Sequence, residues 1–107
     1  MPALQVKRLL TEIKQGLLSL YGNRLKAVYL FGSYARGDYH EGSDFDVMIV
    51  LETYKSYWDE LVRSAALASD LSLKYEVTIS RTLMTEEQWK AGELPILRNV
   101  QREGIPA

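Results

Sequence analysis

Val28-Tyr29-Leu30-Phe31-Gly32-Ser33, then ten residues, then Asp44-Phe45-Asp46-Val47-Met48-Ile49-Val50-Leu51: the reading of these two stretches decides the fold of this 107-residue chain. Both are apolar runs rich in β-branched and aromatic residues, so both read as strands. The first ends on Gly-Ser, where glycine permits a sharp turn and a close backbone approach. The second opens on Asp-x-Asp. Side chains alternate along a strand, so Asp44 and Asp46 share one side while Phe45 points into the core. Two carboxylates on one side suit Mg²⁺, which takes one or two protein carboxylates and completes its shell with waters and substrate phosphates. Ser33 is placed to cap a short helix whose free N–H groups face a phosphate. Gly32 and Ser33 are thus the candidate nucleotide-binding corner, and Asp44 and Asp46 the candidate metal ligands and catalytic residues.

Working outward, Val6, Leu9, Leu10, Ile13, Leu17 and Leu20 recur at spacings of three and four over Leu4 to Tyr21, and Gly22-Asn23 ends that helix. Leu25 to Phe31 is the first strand. Phe45 to Leu51 is the second, apolar enough to be central and covered on both faces. Ser56 to Leu73, with Trp58, Leu61, Val62, Ala65, Leu67, Ala68 and Leu71, reads as the next helix. It leads to a strand in which Glu76, Thr78 and Ser80 alternate with Val77 and Ile79. Thr85-Glu86-Glu87-Gln88 matches a capping box for a short helix through Trp89 ending near Gly92. Pro95 opens a last helix that stops at Gly104. The expectation is an α/β (α+β) fold of one domain, residues 1–107, with helices packed on a mixed sheet of three or more strands.

The Gly-Ser, ten-residue, Asp-x-Asp arrangement, with Ser33-Tyr34-Ala35-Arg36-Gly37 and Ser43-Asp44-Phe45-Asp46-Val47 around it, resembles the polymerase-beta-type nucleotidyltransferase superfamily. More narrowly it is similar to the minimal nucleotidyltransferases, commonly paired as antitoxins with HEPN proteins, and the likeness runs to Leu97-Arg98-Asn99-Val100 and Arg102-Glu103-Gly104. The resemblance implies a nucleotidyltransferase-type sheet and a third carboxylate on a later strand, for which Glu76 is the candidate metal ligand and catalytic residue. Two Mg²⁺ ions and ATP as substrate follow from it. So does a HEPN toxin as partner, with AMP placed on a tyrosine of that ribonuclease to inactivate it. Glutamate in place of the usual aspartate keeps a second reading open, an antitoxin that acts by binding alone. A small-molecule acceptor such as an aminoglycoside is the third.

Composition sets bounds. A net charge of −1 carries no basic footprint, so a long nucleic acid is not the expected substrate. With 47% hydrophobic and 25% charged residues the chain is of ordinary globular composition. No cysteine is present, so disulfide and thiolate chemistry are excluded. Charges at Lys7, Arg8, Glu12 and Lys14 break the first apolar pattern, and neither a targeting signal nor a membrane span is expected; the expectation is a cytoplasmic protein. Walker A and dinucleotide glycine fingerprints are missing. Arg36, just past the glycine-serine corner, is a candidate phosphate contact or a brace for Asp38 or Asp44. His40 reads as a solvated loop residue, and the tyrosines and tryptophans as packing residues.

Overall fold

The apolar run Phe45–Leu51 forms strand β2, and apart from Asp46 every residue in it is buried. Burial on both faces requires layers above and below, and the rest of the chain supplies them in a computed structural model describing residues 1–107. In order the elements are α1 (Ala3–Tyr21), β1 (Leu25–Phe31), α2 (Ser33–Arg36), β2 (Phe45–Leu51), α3 (Tyr57–Tyr75), β3 (Ile79–Thr85), α4 (Glu86–Ala91), α5 (Pro95–Glu103) and β4 (Ile105–Pro106), with a 3-10 turn at Gly22–Arg24. The sheet runs β3-β2-β1-β4, with β1 antiparallel to both neighbours and β2 parallel to β3. It is the mixed sheet expected, with β2 inside it.

The two faces carry different layers. Leu9, Leu10, Ile13 and Leu17 of α1 meet Val28, Leu30, Phe45, Val47, Ile49 and Leu83 on one face. On the other, Leu97 and Val100 of α5 meet Met48, Val50 and Met84. Trp89 of α4 stacks on Tyr29 at 4.9 Å between ring centroids, a packing role as expected. The capping box is formed in both directions: Gln88 N donates to Thr85 Oγ1 at 3.1 Å and Thr85 N to Gln88 Oε1 at 3.0 Å. No helix is long and apolar enough to cross a membrane.

The end of α3 and the start of β3 differ from expectation. Helix α3 runs on to Tyr75, and Glu76 ends it in the left-handed region at φ 54°, so Glu76 is a helix cap and not a strand residue. Strand β3 consequently begins only at Ile79. The core face of α3 is narrow: its buried residues are Glu60, Ser64 and Leu71, while Trp58, Val62 and Ala65 are exposed. Strand β4 carries no signal in two residues that include a proline. It is held by pairing Pro106 with Tyr29 and Ile105 with Leu30.

β3 is an edge strand. Phe45 N donates to the Thr78 carbonyl, so even-numbered residues of the segment turn their backbone toward β2 and odd-numbered ones turn it outward. Side chains take up three of those outward donors: Ile79 N–H bonds Ser72 Oγ, Leu83 N–H bonds the Tyr57 hydroxyl, and Thr85 N–H bonds Gln88. An edge blunted in this way resists pairing with another strand. Tyr57→Phe strips the cap from the Leu83 N–H and is expected to cost about 1 kcal/mol, read as a lower urea midpoint at unchanged slope.

Candidate functional site

Asp44 and Asp46 stand where β2 begins, Asp44 exposed and Asp46 half-buried. The antiparallel pairing of β1 with β2 sets Phe31 opposite Asp46, which brings the next residue, Gly32, against the Asp46 carboxylate. A Cβ at position 32 would overlap that carboxylate, coming within 3.2 Å of Asp46 Cγ besides. Gly32 also holds φ 77°, a conformation that side-chain-bearing residues avoid. Glycine is therefore required here twice, for the turn and for the approach of the acid. Gly32 is the N-cap of α2 and Ser33 its first residue, so Ser33 does not cap the helix as expected. The Ala35 and Arg36 N–H groups bond the Gly32 carbonyl and Gly37 N–H bonds that of Ser33. By helix geometry the Ser33 and Tyr34 amides at the start are without intrahelical acceptors.

Burial first, and then the charge on Asp44, push the Asp46 carboxyl above its ordinary value; Arg36 acts in the opposite sense. The folded chain thus holds the Asp46 proton more tightly than the unfolded chain does. In the metal-free protein this makes stability fall as pH rises through the window opening just above 3.8. Urea midpoints of wild type and Asp46→Asn between about pH 3 and 7 check the sign, since the advantage of the asparagine variant should grow through that window and then level off.

The structure does not bring Glu76 to this pair. Nowhere do three His, Cys, Asp or Glu side chains gather closely enough to hold a metal together. Glu76 instead lines a hollow of about 490 Å³ with Tyr34, His40, Ser43 and Thr78, and a neighbouring one with Arg8 and Glu12. The physical cause is that α3 runs two residues past its expected end, so that Glu76 falls in the connection and β3 begins only at Ile79. The residue paired beside Asp46 in parallel register is Ser80. Ser80 was legible in the sequence as a polar-face residue, but nothing there marked it as the neighbour of Asp46.

Arg36 is engaged on both sides: Nε bonds Asp38 Oδ2 at 3.1 Å and its terminal nitrogen bonds Glu103 Oε1 at 3.0 Å. The bracing role is the one on view, and it ties α2 to the end of α5. His40 sits exposed in the loop, with Nδ1 2.7 Å from the Glu41 carbonyl.

A glycine turn packed on Asp46, with Asp44 two residues before it, at the start of an inner strand of a mixed sheet with helices on both faces, fits the resemblance read from the sequence. The nucleotidyltransferase domain profile matches residues 10–101, and the chain belongs to that family. It is 38% identical over 99 residues to MJ0604 of Methanocaldococcus jannaschii, a protein named for protein adenylyltransferase activity, covering 92% of this chain and 93% of that one. Among solved structures, a toxin–antitoxin complex with AMP-PNP aligns with a TM-score of 0.66 at 20% identity, over 90% of this chain and 69% of that one. A tri-AMPylated Shewanella oneidensis HEPN toxin in complex with MNT antitoxin aligns with a TM-score of 0.52 at 15% identity, over 90% and 69%. At those identities the likeness is one of fold. The chain is a nucleotidyltransferase.

Proposed function

We propose that this nucleotidyltransferase moves AMP from ATP to a tyrosine hydroxyl of a HEPN-family ribonuclease and so silences it. The observation that carries the reading is the contact between the Gly32 corner and the Asp46 carboxylate, with Asp44 beside it. The name of the Methanocaldococcus jannaschii relative and the AMPylated complex described above support AMP as the group moved and a HEPN protein as the acceptor.

In the reaction the acceptor oxygen bonds the α-phosphorus, the bond to the bridging oxygen breaks, pyrophosphate leaves, and the hydroxyl proton passes to solvent. Asp44 and Asp46 would hold divalent metal, Mg²⁺ by the hardness of their oxygens, and the raised Asp46 carboxyl fits a site that gains from a cation. Bound Mg²⁺ supplies charge neutralisation of the polyphosphate. The remaining work falls to the chain. Gly32 lets backbone come close to the phosphates, the Ser33 hydroxyl and amide donate to the terminal ones, and Arg36 lends positive charge from its brace.

A second reading, neutralisation by binding alone, is favoured by Ser80 standing where a third acid would flank Asp46. Incubating the chain with ATP, Mg²⁺ and its HEPN partner and weighing the partner separates the two. AMP-sized gains on a tyrosine are expected. No gain, with inhibition unchanged in an Asp44→Asn, Asp46→Asn variant, would establish the binding-only reading.

A further inference from the structure

The solvent face of α3 bears Trp58, Val62, Ala65, Ala66, Ser69 and Leu73, all exposed, at steps of four, three, one, three and four. That spacing is one continuous stripe of helix surface. Its large members are bare: Trp58 is 70% exposed, Val62 56% and Leu73 78%. A run of this kind, bulky at both ends and small in the middle, lets a second helix cross closely at Ala65 and Ala66 while the ends make the apolar contact.

Charges beside the stripe identify the second helix. On its flank toward α1 lie Asp59, Arg63, Asp70 and Lys74. Arg63 is steadied through Nε by Glu60 at 2.9 Å, and Lys74 by Glu12 at 2.7 Å, which keeps both cations on that flank. When two copies of α3 lie antiparallel about a two-fold axis between positions 66 and 67, the same flanks face each other. Asp59 of one copy then meets Lys74 of the other, and Arg63 meets Asp70, each pair twice. The same register sets Trp58 within a turn of the other copy's Leu73, and Val62 near Ser69. A parallel two-fold arrangement would instead turn this flank toward the other copy's opposite flank, where none of these pairs forms.

We propose that this face binds a second copy of the chain through an antiparallel, two-fold α3–α3 contact. A self-complementary patch is what a two-fold interface demands. The edge of β3 beside it is capped by Tyr57, Ser72 and Gln88, so association there is by helix faces and not by strand pairing.

The absence of cysteine makes the test direct. Ala66→Cys sits on the axis, within disulfide reach of its mate, whereas Leu73→Cys lies about 20 Å from its own mate along the helices. Under mild oxidation Ala66→Cys should link into a dimer and Leu73→Cys should not, while a mixture of Trp58→Cys and Leu73→Cys should link to each other. In sedimentation, Asp70→Arg should weaken dimerisation roughly tenfold by facing Arg63. Equal linking of Ala66→Cys and Leu73→Cys would overturn the antiparallel register. A chain that stays monomeric and unlinked at high concentration would overturn the dimer and leave the face to a different protein.

Discussion

Asp46→Asn is expected to slow nucleotidyl transfer by about 10³-fold, the scale of losing a preorganised charge at a reacting phosphate, and at the same time to raise the melting temperature of the metal-free chain at neutral pH. Both effects come from one side chain. Asp46 is half-buried beside Asp44, and burial and that neighbour's charge already favour its protonated form, so carrying the charge costs the apo fold stability. Asparagine keeps the shape and removes the charge. Thermal melts in EDTA and an AMP-transfer assay with Mg²⁺, run on one preparation, read the two effects separately. A variant that lost both activity and stability would show Asp46 to be a structural acid, and a variant that kept full activity would remove it from the site. Asp44→Asn should lose activity with less gain in stability, because Asp44 is exposed.

Glu60→Lys is expected to cost about 3–5 kcal/mol, the scale of leaving an uncompensated charge in a buried ion-pair network. Glu60 is only 5% exposed and bonds Arg24 at 2.8 Å and Arg63 at 2.9 Å. Burial pushes its carboxyl up, and the two arginines, through their hydrogen bonds and their charges together, more than reverse that, so it is ionised in the fold. Tyr21 and Ser64 both donate to its backbone carbonyl, which makes this turn of α3 the junction with the end of α1. Lysine would set a third cation between two arginines. Glu60→Leu should lose far less, since Arg24 and Arg63 are half-exposed and can turn to water. Urea unfolding of the two variants decides it: equal losses would mean that volume, and not charge, holds the junction.

Glu60 also shows where the sequence stops being readable. An acid inside a helix ordinarily faces water, and no periodicity marks one that is paired from two other places in the chain. The sheet and the acid pair were legible because their signals are local: β2 is apolar along its whole length, and Asp44, Asp46 and Gly32 lie within or beside strands whose ends are plain. Glu76 was misplaced because Lys74-Tyr75-Glu76-Val77 serves equally as the last turn of a helix or the start of an alternating strand. Only the packing of Leu71 and the left-handed turn at Glu76 choose the helix. The inward side of α3 is hidden for a related reason: its apolar residues go all the way round, and two of the three residues it buries, Glu60 and Ser64, are polar.

The capped margin of β3 has a bearing on how this domain keeps company. Backbone ladders are generic, since any extended peptide offers the same amides, and a protein that recruits through them accepts many guests. Here that route is closed on one side by three side chains, and part of the opposite side is taken by the chain's own short β4. Along β3, whatever this domain assembles with must be chosen by side-chain chemistry, so a companion on that side is selected by a few exchangeable surface positions that can be rewritten without disturbing the sheet that carries the acids.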